Sequence, residues 1–180
     1  MKPSTSPVAQ CDNVIPTIGI IGAGAIGSAI ARALARRNIP AILANSRGPE
    51  SLAPLVHELG GAITAGSREQ AARTDVVFVA VNWSNLPAAL EGLPDWAGRV
   101  VVDANNPIEP PTFQPADLGG RPSSAVVADL VPGAKVVKAF NHLPARLLAD
   151  DPVGNGGRRV LFYSGDDAQA KGGTVARMQR

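Results

Sequence analysis

The chain has 180 residues, enough for one domain, and 45% of them are hydrophobic while only 4% are aromatic, so its core must be aliphatic. A formal charge of +2 and an isoelectric point near 9.0 come without a Lys/Arg block or interleaved aromatics, which argues against a nucleic-acid face. The single cysteine, Cys11, excludes an intramolecular disulfide and a cysteine-based metal cluster.

Residues 1–15 are rich in Pro, Ser, Thr and Asn and lack the apolar core of a secretory signal. They read as a disordered tail, followed by one nucleotide-binding domain over 16–180. No apolar run is long enough to span a bilayer, so the expectation is a cytoplasmic chain with no membrane partner.

Ile18, Ile20 and Ile21 form a short β-branched run, long enough for a strand and too short for a core helix. Gly22, Ala23, Gly24, Ala25, Ile26 and Gly27 then fit G-x-G-x-x-G. In that pattern the first glycine permits the tight turn, the second admits a pyrophosphate close to the backbone, and the third lets helix lie on strand. From Ala25 the period is helical, with Ile26, Ile30, Ala33 and Leu34 on one face and Arg32, Arg36 and Arg37 on the other. The free N–H groups and positive end of this helix face the turn and favour an anion. A purely structural glycine turn is the competing reading.

Asn38 and Pro40 stop that helix, and Ala41 to Asn45 supply a second strand. An NAD site would place Asp or Glu here, about 20 residues past the glycines, for the ribose 2′-hydroxyl. The chain has Asn45, Ser46 and Arg47 instead, a hydroxyl and a guanidinium suited to a 2′-phosphate, so the chemistry points to NADP(H). An ordinary polar turn is the bland alternative.

Glu50 to Leu59 reads as one helix with Leu52, Leu55, Val56 and Leu59 inward, ended by Gly60-Gly61. Its His57-Glu58 pair lacks the second histidine of a metal motif, and no metal is expected. Ser67 to Arg73 is a short helix, and Asp75 to Val81 has the unbroken apolar character of a parallel strand buried on both faces. Val81, Asn82 and Trp83 come at its carboxyl end, where open α/β sheets bind ligands; Trp83 either caps the core or touches the cofactor. Leu86 to Leu90 is a crossover helix and Arg99 to Ala104 the next strand, running into Asn105-Asn106-Pro107 at the same edge. Asn106 can hydrogen-bond ribose or nicotinamide there, or simply form an Asn-Pro turn.

Residues 108–122 are proline-rich and read as a loop. Ser123 to Val131 is helical, Lys135 to Phe140 a fifth strand, Arg146 to Ala149 a helical turn, 153–157 a flexible loop, and Val160 to Ser164 a sixth strand. Asp150-Asp151 and Asp166-Asp167 read as solvated or capping pairs rather than catalytic ones. His142, after the fifth strand, is placed at one edge with Trp83 and Asn106.

IGIIGAGAIGSAIARALA, the Asn45-Ser46-Arg47 ending, VFVAVNW through Trp83, KAFNHLPA across Asn141 and His142, and FYSGDD through Asp167 together resemble the coenzyme F420-dependent NADP oxidoreductase family. The resemblance covers nearly everything after the tail and implies a Rossmann-type α/β fold, a doubly wound, mostly parallel sheet with helices on both faces. It implies pyrophosphate at Gly22 to Gly27, the 2′-phosphate at Ser46 and Arg47, cofactor contact at Trp83, and the deazaflavin beside Asn141, His142 and Leu143. Asn82 stands where family members often carry proline. They also continue past the helix that follows Gly165-Asp166-Asp167, so the acceptor side is expected to be open, completed by a second subunit of a homodimer, or absent.

The reading is therefore an NADP(H)-dependent oxidoreductase passing hydride to or from a small-molecule acceptor such as coenzyme F420. Alternatives are an NADPH-dependent reductase of a flavin, imine or other small molecule, and a non-catalytic NADP(H)-binding sensor or interaction module.

Overall fold

The computed structural model describes residues 16–109, 111–154 and 157–178. The expected disordered tail, with Cys11, lies outside these residues. The chain runs β1 (Ile18–Ile21), α1 (Ala25–Arg36), β2 (Ala41–Ala44), α2 (Ala53–Leu59), β3 (Ile63–Ala65), α3 (Arg68–Ala72), β4 (Val76–Val79), α4 (Leu86–Leu90) and β5 (Val100–Asp103). There follow β6 (Ile108–Glu109), β7 (Gln114–Pro115), α5 (Ser123–Leu130), β8 (Lys135–Ala139), α6 (Ala145–Ala149), β9 (Val153–Gly154), β10 (Gly157–Arg158), β11 (Tyr163–Ser164) and α7 (Ala168–Met178).

Seven strands form one sheet in the order β11-β8-β5-β4-β1-β2-β3, parallel throughout except for β11 on β8. The chain winds outward from β1 to β3, then crosses back through α3 to β4 on β1's other side. That reversal makes the β1/β4 junction the switch point of a doubly wound Rossmann sheet. Alternate strand residues serve opposite faces. Ile21, Val77, Val79 and Val101 pack with α3, α4 and α5, while Ile18, Ile20, Phe78 and Val102 pack with α1 and the segment leading into α2. Both faces are covered, which is why these strands carry no polar alternation.

Four expectations need correction, and one strand had no counterpart among them. The helix expected over 50–59 is a 3-10 turn, Pro49–Leu52, followed by α2, because Pro54 lacks the N–H that a continuous helix needs there. β3 went unread: it is an edge strand of three residues with only Ile63 buried, too short to show a period. The 108–122 loop contains the β6/β7 hairpin, held where Ala116 N–H donates to Pro107 O at 2.8 Å. The loop over 153–157 carries the β9/β10 hairpin, and the strand expected over 160–164 shrinks to Tyr163–Ser164. In these short pieces main-chain pairing sets the structure, and apolar patterning carries little signal.

No helix among the described residues is long and apolar enough to cross a membrane. The Gly-Asp-Asp segment caps α7: Asp167 Oδ1 accepts from Ala170 N–H at 2.7 Å, and Asp167 Oδ2 lies 3.2 Å from Lys135 Nζ. The Ala170 N–H and then the Lys135 ammonium hold this carboxyl below the ordinary aspartate range. A lowered folded-state pKa stabilises fully above the unfolded value, and that stabilisation is lost as pH falls through the lowered one. Asp167→Asn is thus expected to lower the denaturation midpoint at neutral pH, with the deficit shrinking toward zero in acid; a deficit independent of pH would count against the ionic contribution.

Candidate functional site

The turn after β1 is built by steric necessity. Gly22 sits at φ +107°, where a side chain would be strained, and a Cβ there would lie 2.2 Å from Ala80 O. At Gly27 a Cβ would come within 1.8 Å of Gly22 O, so only glycine lets α1 lie this close to the turn. Gly24 differs. It has no protein atom within 4 Å of where its Cβ would stand, and it caps α1 without any side-chain bond. The first bond to its carbonyl comes from Ser28 N–H at 2.9 Å, which leaves the N–H groups of the first helical turn, Ala25 and Ile26 among them, to a ligand in the cleft. A cradle whose filling by one Cβ would close it, at the positive end of a helix, fits a diphosphate.

At the end of β2, Asn45 shapes the next turn. Its Oδ1 accepts from Arg47 N–H at 3.0 Å and its Nδ2 donates to Ser51 Oγ at 2.9 Å. Ser46 and Arg47 are presented to solvent, and among the described residues neither the hydroxyl nor the guanidinium has a protein partner.

These elements share one cleft of about 800 Å³ at the carboxyl ends of the strands. Gly22, Gly24, Ala25 and Ile26 line it, as do Ser46 and Arg47, then Val81, Asn82, Trp83 and Asn106. Gly27 lies beneath, at the helix–turn contact. Trp83 belongs to the core cluster, 9% exposed, and also forms part of the cleft wall. A smaller cavity of about 160 Å³ at the opposite strand edge, by Gly98 and Lys135, is too small for a dinucleotide.

The acceptor-side residues divide. Asn141 is tied to the cleft, since Asn106 Nδ2 donates to Asn141 O at 2.7 Å and Asn141 Nδ2 donates to Asn106 Oδ1 at 3.1 Å. His142 does not join Trp83 and Asn106 in the cleft lining. It is exposed, accepts from Phe162 N–H at 3.2 Å and packs at 5.5 Å on the Phe162 ring. Leu143 also stands outside the lining. The chain leaves β8 through Phe140 at φ +66° into a turn at 141–142, which sets Asn141 against Asn106 on the β5 side and His142 against Phe162 beside β11.

Sequence reasoning missed several residues here. Arg68 lines the cleft and donates to Ala88 O at 2.6 Å and Ala89 O at 3.1 Å, pinning α4 to α3. Ile108 and Phe113 bring the β6/β7 hairpin to its mouth, Phe113 75% exposed and at φ +54°. Behind the wall, Lys138 and Asp103 form an ion pair at 2.9 Å whose carboxylate is fully buried. Isolated cations in a helix and a two-residue strand gave no signal; the register of β5 against β8 would have given the ion pair.

Among the described residues that line the cleft there is no carboxylate, histidine or lysine; Arg47 and Arg68 are its only charged groups. Nor does any group of three or more His, Cys, Asp or Glu stand where it could hold a metal, again among the described residues. Two cations and many amides make a site for a polyanion. They supply no proton-transfer pair.

The family described as "NADP oxidoreductase coenzyme F420-dependent" matches residues 17–107. A hypothetical protein, SMa0349, from Sinorhizobium meliloti is 47% identical with a TM-score of 0.87, over 92% of this chain and 80% of that one. A protein assigned as an F420-dependent NADP-reductase from an Arthrobacter species is 26% identical with a TM-score of 0.76, over the same 92% and 80%. Metalloreductase STEAP3 of Rattus norvegicus is 33% identical over 98% of this chain. The chain spans 34% of that relative's length.

Proposed function

The chain belongs to the coenzyme F420-dependent NADP oxidoreductase family, and from that premise we propose that its cleft binds NADP(H) and exchanges hydride between the nicotinamide and a deazaflavin such as coenzyme F420. Gly22 and Gly24, with the first-turn N–H groups of α1, hold the pyrophosphate; Ser46 and Arg47 take the 2′-phosphate. Val81, Asn82, Trp83 and Asn106 form the nicotinamide half of the wall, and Asn141 and Phe113 border the acceptor. When bound, the nicotinamide would supply a hydride from C4 in its reduced form or receive one there in its oxidised form, the acceptor's ring nitrogen taking a proton from water on reduction and returning it on oxidation.

The observation that carries the choice of acceptor is the absence of an acid–base group among the described cleft residues. A carbonyl or imine acceptor gains a proton in the transition state and needs a donor within hydrogen-bond reach. Two planar rings that carry their own electronics need stacking and exclusion of water. Neither arginine serves as donor, since a guanidinium stays protonated throughout the working range.

The test is NADPH oxidation by the full chain with F420, with FMN and with no acceptor, read as loss of NADPH and bleaching of the deazaflavin. Turnover with F420 well above that with FMN is expected. Preference for FMN would move the acceptor to a flavin, and tight NADPH binding without turnover in any mixture would favour a nucleotide sensor. Phe113→Ala is expected to raise the acceptor KM about fivefold or more, on the order of one aromatic contact, with little change in NADPH affinity.

A further inference from the structure

At and behind the nicotinamide half of the cleft wall, which Asn105 itself lines, four side chains from three elements form one connected chain of bonds. Lys138, on β8, donates from Nζ to Asp103 Oδ2 at 2.9 Å, to Asn105 O at 2.5 Å and to Ser123 Oγ at 3.2 Å. Asp103 and Lys138 are direct register partners on adjacent parallel strands, and Asp103 is fully buried. Its other oxygen, Oδ1, accepts from Asn105 N–H at 3.0 Å and from Asn105 Nδ2 at 2.8 Å. Asn105, 4% exposed, in turn accepts the Val81 N–H on Oδ1 at 2.9 Å.

The amide of Asn105 can stand only one way round. Inverting it would aim its oxygen at the buried carboxylate and its NH2 at the Val81 N–H, an acceptor against an acceptor and a donor against a donor. The Asp103 charge, stabilised by Lys138, therefore fixes which atom Asn105 offers to Val81. Val81 in turn packs on the glycine turn, since a Cβ on Gly22 would meet Val81 Cγ1 at 2.9 Å. A buried carboxylate with no partner would be costly, so the lysine is needed for the arrangement to stand at all.

We propose that Lys138, Asp103 and Asn105 are positioning residues that hold the Val81-Asn82-Trp83 wall in register with the glycine turn, and so set where the nicotinamide half of the cofactor lies. Lys138 and Asp103 stand behind the wall and act through Asn105, which lines the cleft and reaches the wall through the Val81 N–H. The inference rests on the NADP(H) reading and extends it from which residues line the cleft to what keeps one half of it in place. The adenosine half, at Ser46 and Arg47 beyond β1, is outside this chain of bonds.

The experiment separates the two halves. Full-length chain is titrated with adenosine 2′,5′-bisphosphate, which fills only the adenosine half, and with NADPH, whose nicotinamide fluorescence reports its surroundings. Asn105→Leu is expected to leave bisphosphate affinity within about twofold while weakening NADPH about tenfold and returning its emission toward that of the free cofactor. Asp103→Asn changes no volume and frees the Asn105 amide to invert; it serves where the first variant fails to fold, and its bound NADPH should likewise lose the parent's emission. Lys138→Arg, which keeps the cation, should lie closer to the parent than Lys138→Gln in the same signal. Equal losses of both ligands, or parent-like emission in Asp103→Asn, would overturn the inference while leaving the cofactor reading intact. Failure of the unaltered chain to bind either ligand would overturn both.

Discussion

Gly24→Val is expected to remain folded to within about 1 kcal/mol of the parent, the cost of a poorer helix cap, and yet to lose at least about 100-fold in NADPH affinity. Gly27→Ala, a smaller change at the helix–turn contact beneath the cleft, should instead destabilise the whole chain by about 3 kcal/mol or more. The contrast follows from what each new Cβ meets. At Gly24 there is no protein atom within 4 Å, and φ is −76°, so a side chain stands without strain in the space a diphosphate needs. At Gly27 the nearest atom is Gly22 O at 1.8 Å, main chain on main chain, which cannot rotate away as a side chain would. Urea denaturation and NADPH titration of the two variants test this together. Unchanged nucleotide affinity in Gly24→Val would remove the glycine turn from the binding site, whatever the fold.

Arg47→Ala should weaken NADPH roughly 10- to 100-fold, the range of a charge-assisted bond, and leave NADH within about threefold. Arg47 is exposed and its guanidinium has no protein partner among the described residues, so its removal breaks nothing in the fold. Because both groups stand in water, the discrimination should shrink as salt rises. Dissociation constants for both cofactors at low and high ionic strength supply the check. Equal losses for NADPH and NADH would take the 2′-phosphate away from this residue. Neutral substitution of Arg68, by contrast, should damage the fold as well, since it is spent on the carbonyls of Ala88 and Ala89.

The two arginines show what a sequence can and cannot tell. Arg47 is placed at the cleft by sequence alone because it follows a strand at a fixed spacing from the glycine turn, so position along the chain implied position in space. Arg68 stands at the start of a five-residue helix with no such neighbour, and only the packing of α3 against α4 brings it to the cleft. His142 is the opposite case. Its place after β8 was legible, and its direction was not, because β11 and Phe162 give its ring a partner on the far side. Trp83 reads from sequence as a core cap or a cofactor contact; the fold packs it in the core cluster and gives it a face on the cleft.

The sequence by itself determined the strand–turn–helix unit, the absence of a carboxylate after β2, and the unbroken apolar strands of a sheet covered on both faces. These are local properties, set by backbone sterics and by which neighbours each residue has within a few positions. Tertiary structure alone decided that Asp103 meets Lys138, 35 residues later, that Asn105 faces Val81, and that the β6/β7 hairpin reaches the cleft mouth. Those contacts exist only once β5 has chosen β4 and β8 as its neighbours, a choice made by the burial of both faces of the sheet at once rather than by any one segment.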